Sequence, residues 1–205
     1  MFIKPIDNHN KDEIKILYNH AFDIYNTLKD SKFRCPKPLS YDDKSITYEY
    51  LNLENRFDEL LQKKDKNIFN IFKNIGNLLS IIHSHNNLLH ADFVLHNLFF
   101  DGENNMIVID FHPPELLGFR YDLLYGKKSR DIIFFIMTIS SSFGNKKALK
   151  DKKYILKCIK NFSEGYGRNT IPKYNYKDIY QVSIDIMNIR RKAGFGVING
   201  IINSL

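Results

Sequence analysis

The chain has 205 residues, of which 43% are hydrophobic, 14% aromatic and 26% charged, enough to bury a core as one domain or two packed lobes. Those proportions exclude a disordered or low-complexity chain. The net charge of +7 suits anionic partners such as nucleotides, nucleic acid or lipid head groups, but the basic residues are scattered, and lysine enrichment alone accounts for the balance.

In chain order, an extended start at Phe2–Ile6 precedes Ile14, Leu17, Tyr18, Ala21, Phe22, Tyr25 and Leu28, whose spacing predicts an amphipathic helix. Pro36 and Pro38 bracket a predicted loop, and Ile46–Leu51 reads as a strand rich in β-branched and aromatic residues. Ile68, Ile71, Phe72, Ile75, Leu78, Leu79 and Ile82 predict a second long helix ending near His85. Two short strands follow, Leu98–Phe100 and Met106–Asp110, joined by a turn over 101–105. Segments near 129–142, 151–164 and 176–190 are helical by period. The expected class is α+β with segregated elements.

Cys35 and Cys158 lie far apart with no CxxC spacing, so neither a disulfide framework nor a zinc knuckle is indicated. The first residues hold no apolar run resembling a signal peptide. The longest apolar stretch, Ile132–Ile139, falls well short of the ~20 residues that span a bilayer. The expectation is a cytoplasmic protein with no transmembrane segment.

The informative stretch is 88–115, which contains His90-x-Asp92-x-x-x-x-Asn97 and then an apolar strand running into Asp110-Phe111. Asp92 and Asp110 are 110 − 92 = 18 residues apart. This pattern resembles the catalytic loop and metal-binding aspartate of protein kinases and their relatives. Phosphoryl transfer needs a carboxylate to orient the accepting hydroxyl, and hard oxygen ligands to hold Mg²⁺ against the phosphates of ATP. The resemblance therefore implies Asp92 as the catalytic residue and Asn97 and Asp110 as metal ligands. It also implies a kinase-like fold, with a reduced N-terminal lobe and hinge over 1–51 and a mainly helical C-terminal lobe over 52–205.

Weaker matches surround that core. The segment from Arg34 to Asn52 resembles the approach to the hinge of aminoglycoside-phosphotransferase-like kinases, which would place adenine against the backbone of Glu49, Tyr50 and Leu51. Lys4 stands where the family's phosphate-binding lysine would be, and Glu13 opens the helix that usually supplies its ion-pair partner. Asp131 heads an apolar helix, as does a family aspartate that braces the catalytic loop. Residues 161–167 (NFSEGYG) resemble a late "f..gY" motif.

The chain departs from the pattern at several points. No glycine-rich loop precedes Lys4, Ala91 replaces the usual Gly or Arg, and Phe111 is followed by His112 where a DFG glycine would stand. Similarity to aminoglycoside and lipopolysaccharide kinases implies a small-molecule or sugar or glycolipid alcohol as acceptor. The segment 185–196 is similar to the tail of the small kinase of the KEOPS complex, which keeps an atypical protein kinase or ATPase open. A catalytically weak kinase-like binding or scaffold protein also stays open, as does a transition-metal hydrolase site built from His90, Asp92, His96, Asp110 and His112. Nucleic acid as a partner has no motif in its support, and oligomeric state leaves no readable trace.

Overall fold

The computed structural model describes residues 1–7, 9–64, 66–85, 88–101, 105–116, 128–142 and 151–167. The expected helix at 176–190, the 185–196 segment and the tip of the 101–105 turn lie outside them.

Strand β1 (Phe2–Pro5), helix α1 (Lys11–Leu28), β2 (Pro38–Tyr41) and β3 (Ser45–Tyr48) form the N-terminal part. The sheet order is β1-β3-β2, antiparallel throughout, with Lys4 opposite Ile46. α1 buries Ile14, Leu17, Ala21, Ile24 and Leu28 along one stripe; of the residues the periodicity predicts, Phe22 is exposed, and Ile24 is buried in addition. Its start is fixed by a capping box in which Asn10 accepts from the Glu13 N–H at 3.0 Å and the Glu13 carboxylate accepts from the Asn10 N–H at 2.9 Å.

The expected loop at Pro36 leads directly into β2, a strand that was not expected. Pro38 opens that strand, which lies at the edge of the sheet, where a missing N–H breaks no ladder. The second sheet has the order β4 (Asn55–Arg56), β5 (Leu98–Phe100), β6 (Met106–Val108). A parallel bridge joins the two regions: the Arg34 N–H donates to the Met106 carbonyl at 2.9 Å, and the Val108 N–H donates to the Arg34 carbonyl at 3.0 Å.

Four more helices complete the described chain: α2 (Phe57–Lys63), α3 (Ile68–Ser84), α4 (Lys128–Ser142) and α5 (Lys152–Tyr166). α3 is the central element. Its Ile68, Phe72, Ile75, Leu78, Leu79 and Ile82 are buried against Ile155, Ile159 and Phe162 of α5 and Phe135 of α4. Phe135 sits at a ring junction, with Phe72, Phe93 and Phe162 centroids at 5.9, 5.2 and 4.7 Å. α4 is buried continuously from Arg130 to Thr138, as expected of a helix apolar on all sides.

Backbone meets backbone where α3 crosses α5. A Cβ placed on Gly76 would collide with the Phe162 carbonyl oxygen and lie 2.6 Å from the Tyr166 nitrogen. A Cβ on Gly165 would strike the Lys73 carbonyl. Glycine at both positions permits the close crossing that brings the end of α5 beside the end of α3. No helix among the described residues is long and apolar enough to cross a membrane.

Candidate active site

The loop between α3 and β5 is held from below by α4. Asp131, 1% exposed in the first turn of that helix, accepts the His90 N–H on Oδ2 and the Ala91 N–H on Oδ1, both at 2.8 Å. These bonds pin two successive peptides immediately before Asp92. Ala91 takes the left-handed conformation, φ 62°, which costs an alanine roughly 1–2 kcal/mol. Burial works to raise the Asp131 pKa, but bonding to His83 and the loop outweighs it and holds the carboxyl below its usual range.

His90 is fully buried and packs edge-on to Phe93 and Phe111, with centroids at 5.3 and 5.0 Å. Burial lowers its pKa, so the ring is neutral, and Nε2–H donates to the Ile109 carbonyl at 3.0 Å. Its role is to tie the loop to the strand end that carries Asp110. The His112 N–H donates back to the His90 carbonyl at 3.1 Å, completing the tie.

Asp92 and Asn97 face each other across a single 3-10 turn at Leu95–Asn97. Asn97 Nδ2 donates to the Asp92 carbonyl at 3.0 Å and to Asp92 Oδ2 at 3.2 Å. Those two bonds fix the amide so that Oδ1 is its outward acceptor. Asp110 follows directly after Ile109, whose N–H donates to the Asn97 carbonyl at 3.0 Å. Asp110 itself has a left-handed backbone, φ 69°, just past the end of β6.

That carboxylate is paired with Lys4 Nζ of β1, across 106 residues of sequence. Burial would raise the Asp110 pKa, but the Lys4 ammonium outweighs it and holds the carboxyl below its usual range. Glu13 was expected as the partner of Lys4. The structure gives Lys4 to Asp110, while Glu13 closes the cap of its own helix and meets His9 Nδ1 at 3.3 Å.

Lys4 and Asp110 line a cavity of about 470 Å³ together with Glu49, Tyr50 and Leu51, so five of the seven expected site residues share one space. Phe2, Tyr48 and Phe111 give it apolar walls. Asp92 and Asn97 lie outside its lining and connect to it through the Ile109–Asn97 bond. The Glu49 N–H is engaged by the Lys37 carbonyl at 2.8 Å, and Tyr50 and Leu51 follow it in the cavity lining.

The volume lies within the roughly 300–1,000 Å³ common for small-molecule sites. One carboxylate and one outward amide oxygen are the hard donors Mg²⁺ prefers. The transition-metal alternative does not fit. Its His90 is sealed in the core with Nε2 bonded to a carbonyl, and no cluster of three His, Cys, Asp or Glu side chains among the described residues is placed to hold a metal ion.

His83, which no motif singles out, belongs to the support of this loop. Nε2 meets Asp131 Oδ2 at 3.0 Å and Nδ1 meets the Tyr166 hydroxyl at 2.8 Å. The available signal was a histidine on an otherwise apolar helix face, a buried polar group that must find partners.

A family model of the RIO domain matches residues 4–113, more than half of the chain. The matched span runs from Lys4 past Asp110, while Asp131 and Tyr166 lie beyond it. No curated protein matches the chain.

Proposed function

The chain belongs to the RIO-domain family of atypical kinases and ATPases within the protein-kinase-like superfamily, and from that premise we propose that it transfers the γ-phosphate of ATP, with Mg²⁺, to a hydroxyl group. What supports this most is the Lys4–Asp110 pair in an apolar-walled cavity, with the Asp92–Asn97 pair one peptide bond away in the hydrogen-bond chain.

Adenine lies between Phe2, Tyr48 and Phe111 and is recognised through the backbone of Tyr50 and Leu51, since the Glu49 N–H is already used. Lys4 turns from Asp110 to a phosphate oxygen. Asp110 and Asn97 Oδ1 would hold Mg²⁺, which when bound would neutralise phosphate charge and polarise the transferred group. Asp92, fixed through Asn97 Nδ2, orients the acceptor hydroxyl and takes its proton. Positioning and electrostatics supply most of the rate. The division into a nucleotide-covering part over 1–51 and a helical part over 52–205 belongs to the same proposal.

The acceptor is a small-molecule or sugar alcohol, as the motif resemblance implies, or a protein serine, as an atypical protein kinase would use. Transfer of label from γ-labelled ATP, offered small alcohols and protein substrates in turn, separates them. Release or transfer of label by the unaltered protein but not by Asp92→Asn supports the proposal. Equal rates from both would sink it.

A further inference from the structure

Three buried side chains run from the end of α5 to the backbone preceding Asp92. Tyr166, 7% exposed, meets His83 Nδ1 at 2.8 Å; His83, 3% exposed, meets Asp131 Oδ2 at 3.0 Å through Nε2; and Asp131 Oδ1 holds the Ala91 N–H at 2.8 Å. The direction of each bond follows from what each group can give. An ionised carboxylate only accepts, so the proton between His83 and Asp131 sits on Nε2. In a neutral ring Nδ1 then carries a lone pair, which accepts from the Tyr166 O–H. Burial and the nearby Asp131 charge push the Tyr166 phenol up to about 12, so it stays protonated as a donor.

Ala91 is the point where this array acts. Its φ of 62° is one that an alanine rarely adopts and a glycine adopts freely. The peptide at Ala91 sets the direction in which Asp92 leaves the loop, and Asp131 Oδ1 is the partner that holds it. Without the Tyr166 hydroxyl the His83 ring keeps only its bond to Asp131, and a ring free to swing no longer holds that carboxylate in the alignment that places Oδ1 on the Ala91 N–H.

We propose that Tyr166 is a positioning residue for phosphoryl transfer: its hydroxyl anchors the His83 ring, through which Asp131 holds Ala91 in its left-handed conformation and aims Asp92. The proposal rests on Asp92 being the catalytic residue. It gives the 161–167 motif a physical content, with Gly165 allowing the helix crossing and Tyr166 reaching the loop. The nucleotide cavity is lined by other residues, so the effect falls on turnover and not on ATP affinity.

Magnesium-dependent ADP release by the full chain tests this. Tyr166→Phe lowers kcat on the order of tenfold, the weight of one buried hydrogen bond, with the KM for ATP unchanged. Adding Ala91→Gly to that variant restores most of the loss, because glycine needs no holding at that φ. A purely structural tyrosine would lower the melting temperature without such rescue. Unchanged kcat in Tyr166→Phe, a parallel rise in KM, or absence of rescue overturns the proposal. Asp92→Asn run alongside separates the two layers: if it keeps full turnover, the catalytic reading itself fails. Should Tyr166→Phe not fold, the ¹⁵N spectrum of the His83 ring in the unaltered protein decides. A neutral ring protonated on Nε2 is expected, and the opposite tautomer or a doubly protonated ring overturns the inference.

Discussion

Replacing Asp131 by asparagine changes one atom type and no volume, and its cost can be worked from the bonds it disturbs. The carboxylate accepts from three buried donors: His83 Nε2–H, the His90 N–H and the Ala91 N–H. A hydrogen bond to a charged group contributes roughly 1.5–3 kcal/mol. Asparagine keeps one oxygen, so at least one donor faces an NH₂ and the others lose charge assistance. The expected loss is about 3–5 kcal/mol, a large share of the roughly 5–15 kcal/mol that holds a domain together. At about 2–4 °C per kcal/mol for a chain of this size, the melting temperature falls by roughly 6–20 °C. Because the folded pKa lies below the unfolded value near 3.9, the contribution is complete above that value and fades as pH falls through the folded pKa. Urea unfolding at pH 7 and again near pH 3 therefore shows a large difference that narrows in acid. A loss under about 1 kcal/mol at pH 7 would refute the bracing role.

Lys4→Met removes the cation beside Asp110, and the KM for ATP should rise by roughly ten- to a hundredfold, the value of one charged hydrogen bond; an unchanged KM would remove Lys4 from the phosphate site. Gly76→Ala forces α3 and α5 apart at their backbone contact and should cost about 1–3 kcal/mol or more in urea unfolding, whereas a neutral result would contradict the crossing. Burial pushes the Cys35 and Cys158 thiols up to about 12, so iodoacetamide at pH 8 should label them only in denaturant. Rapid labelling of the native protein would place them outside the core.

α1 and α3 were legible because both run for many residues with one apolar stripe, the strongest pattern a sequence carries. β2 was hidden by prolines that an edge strand tolerates, and the seven-residue α2 is too short for its period to stand out. The pairing of Asp92 with Asn97 was readable because a single short turn fixes it locally. Asn10-x-x-Glu13 is itself a helix-start signature, and it accounts for Glu13 as the first-turn acid of its own helix. The Tyr166–His83 bond spans 83 residues and depends on a helix crossing set by two glycines, so no local pattern could reveal it.

The central claim is that Asp110 and its neighbours hold a metal–nucleotide complex in the cavity walled by Phe2, Tyr48 and Phe111. Calorimetric titration with ATP, with and without Mg²⁺, tests it on the unaltered protein and on Asp110→Ala. Binding that strengthens with Mg²⁺ in the first and loses that dependence in the second is the expected result. ATP binding indifferent to both the metal and the substitution, or no binding at all, would contradict it.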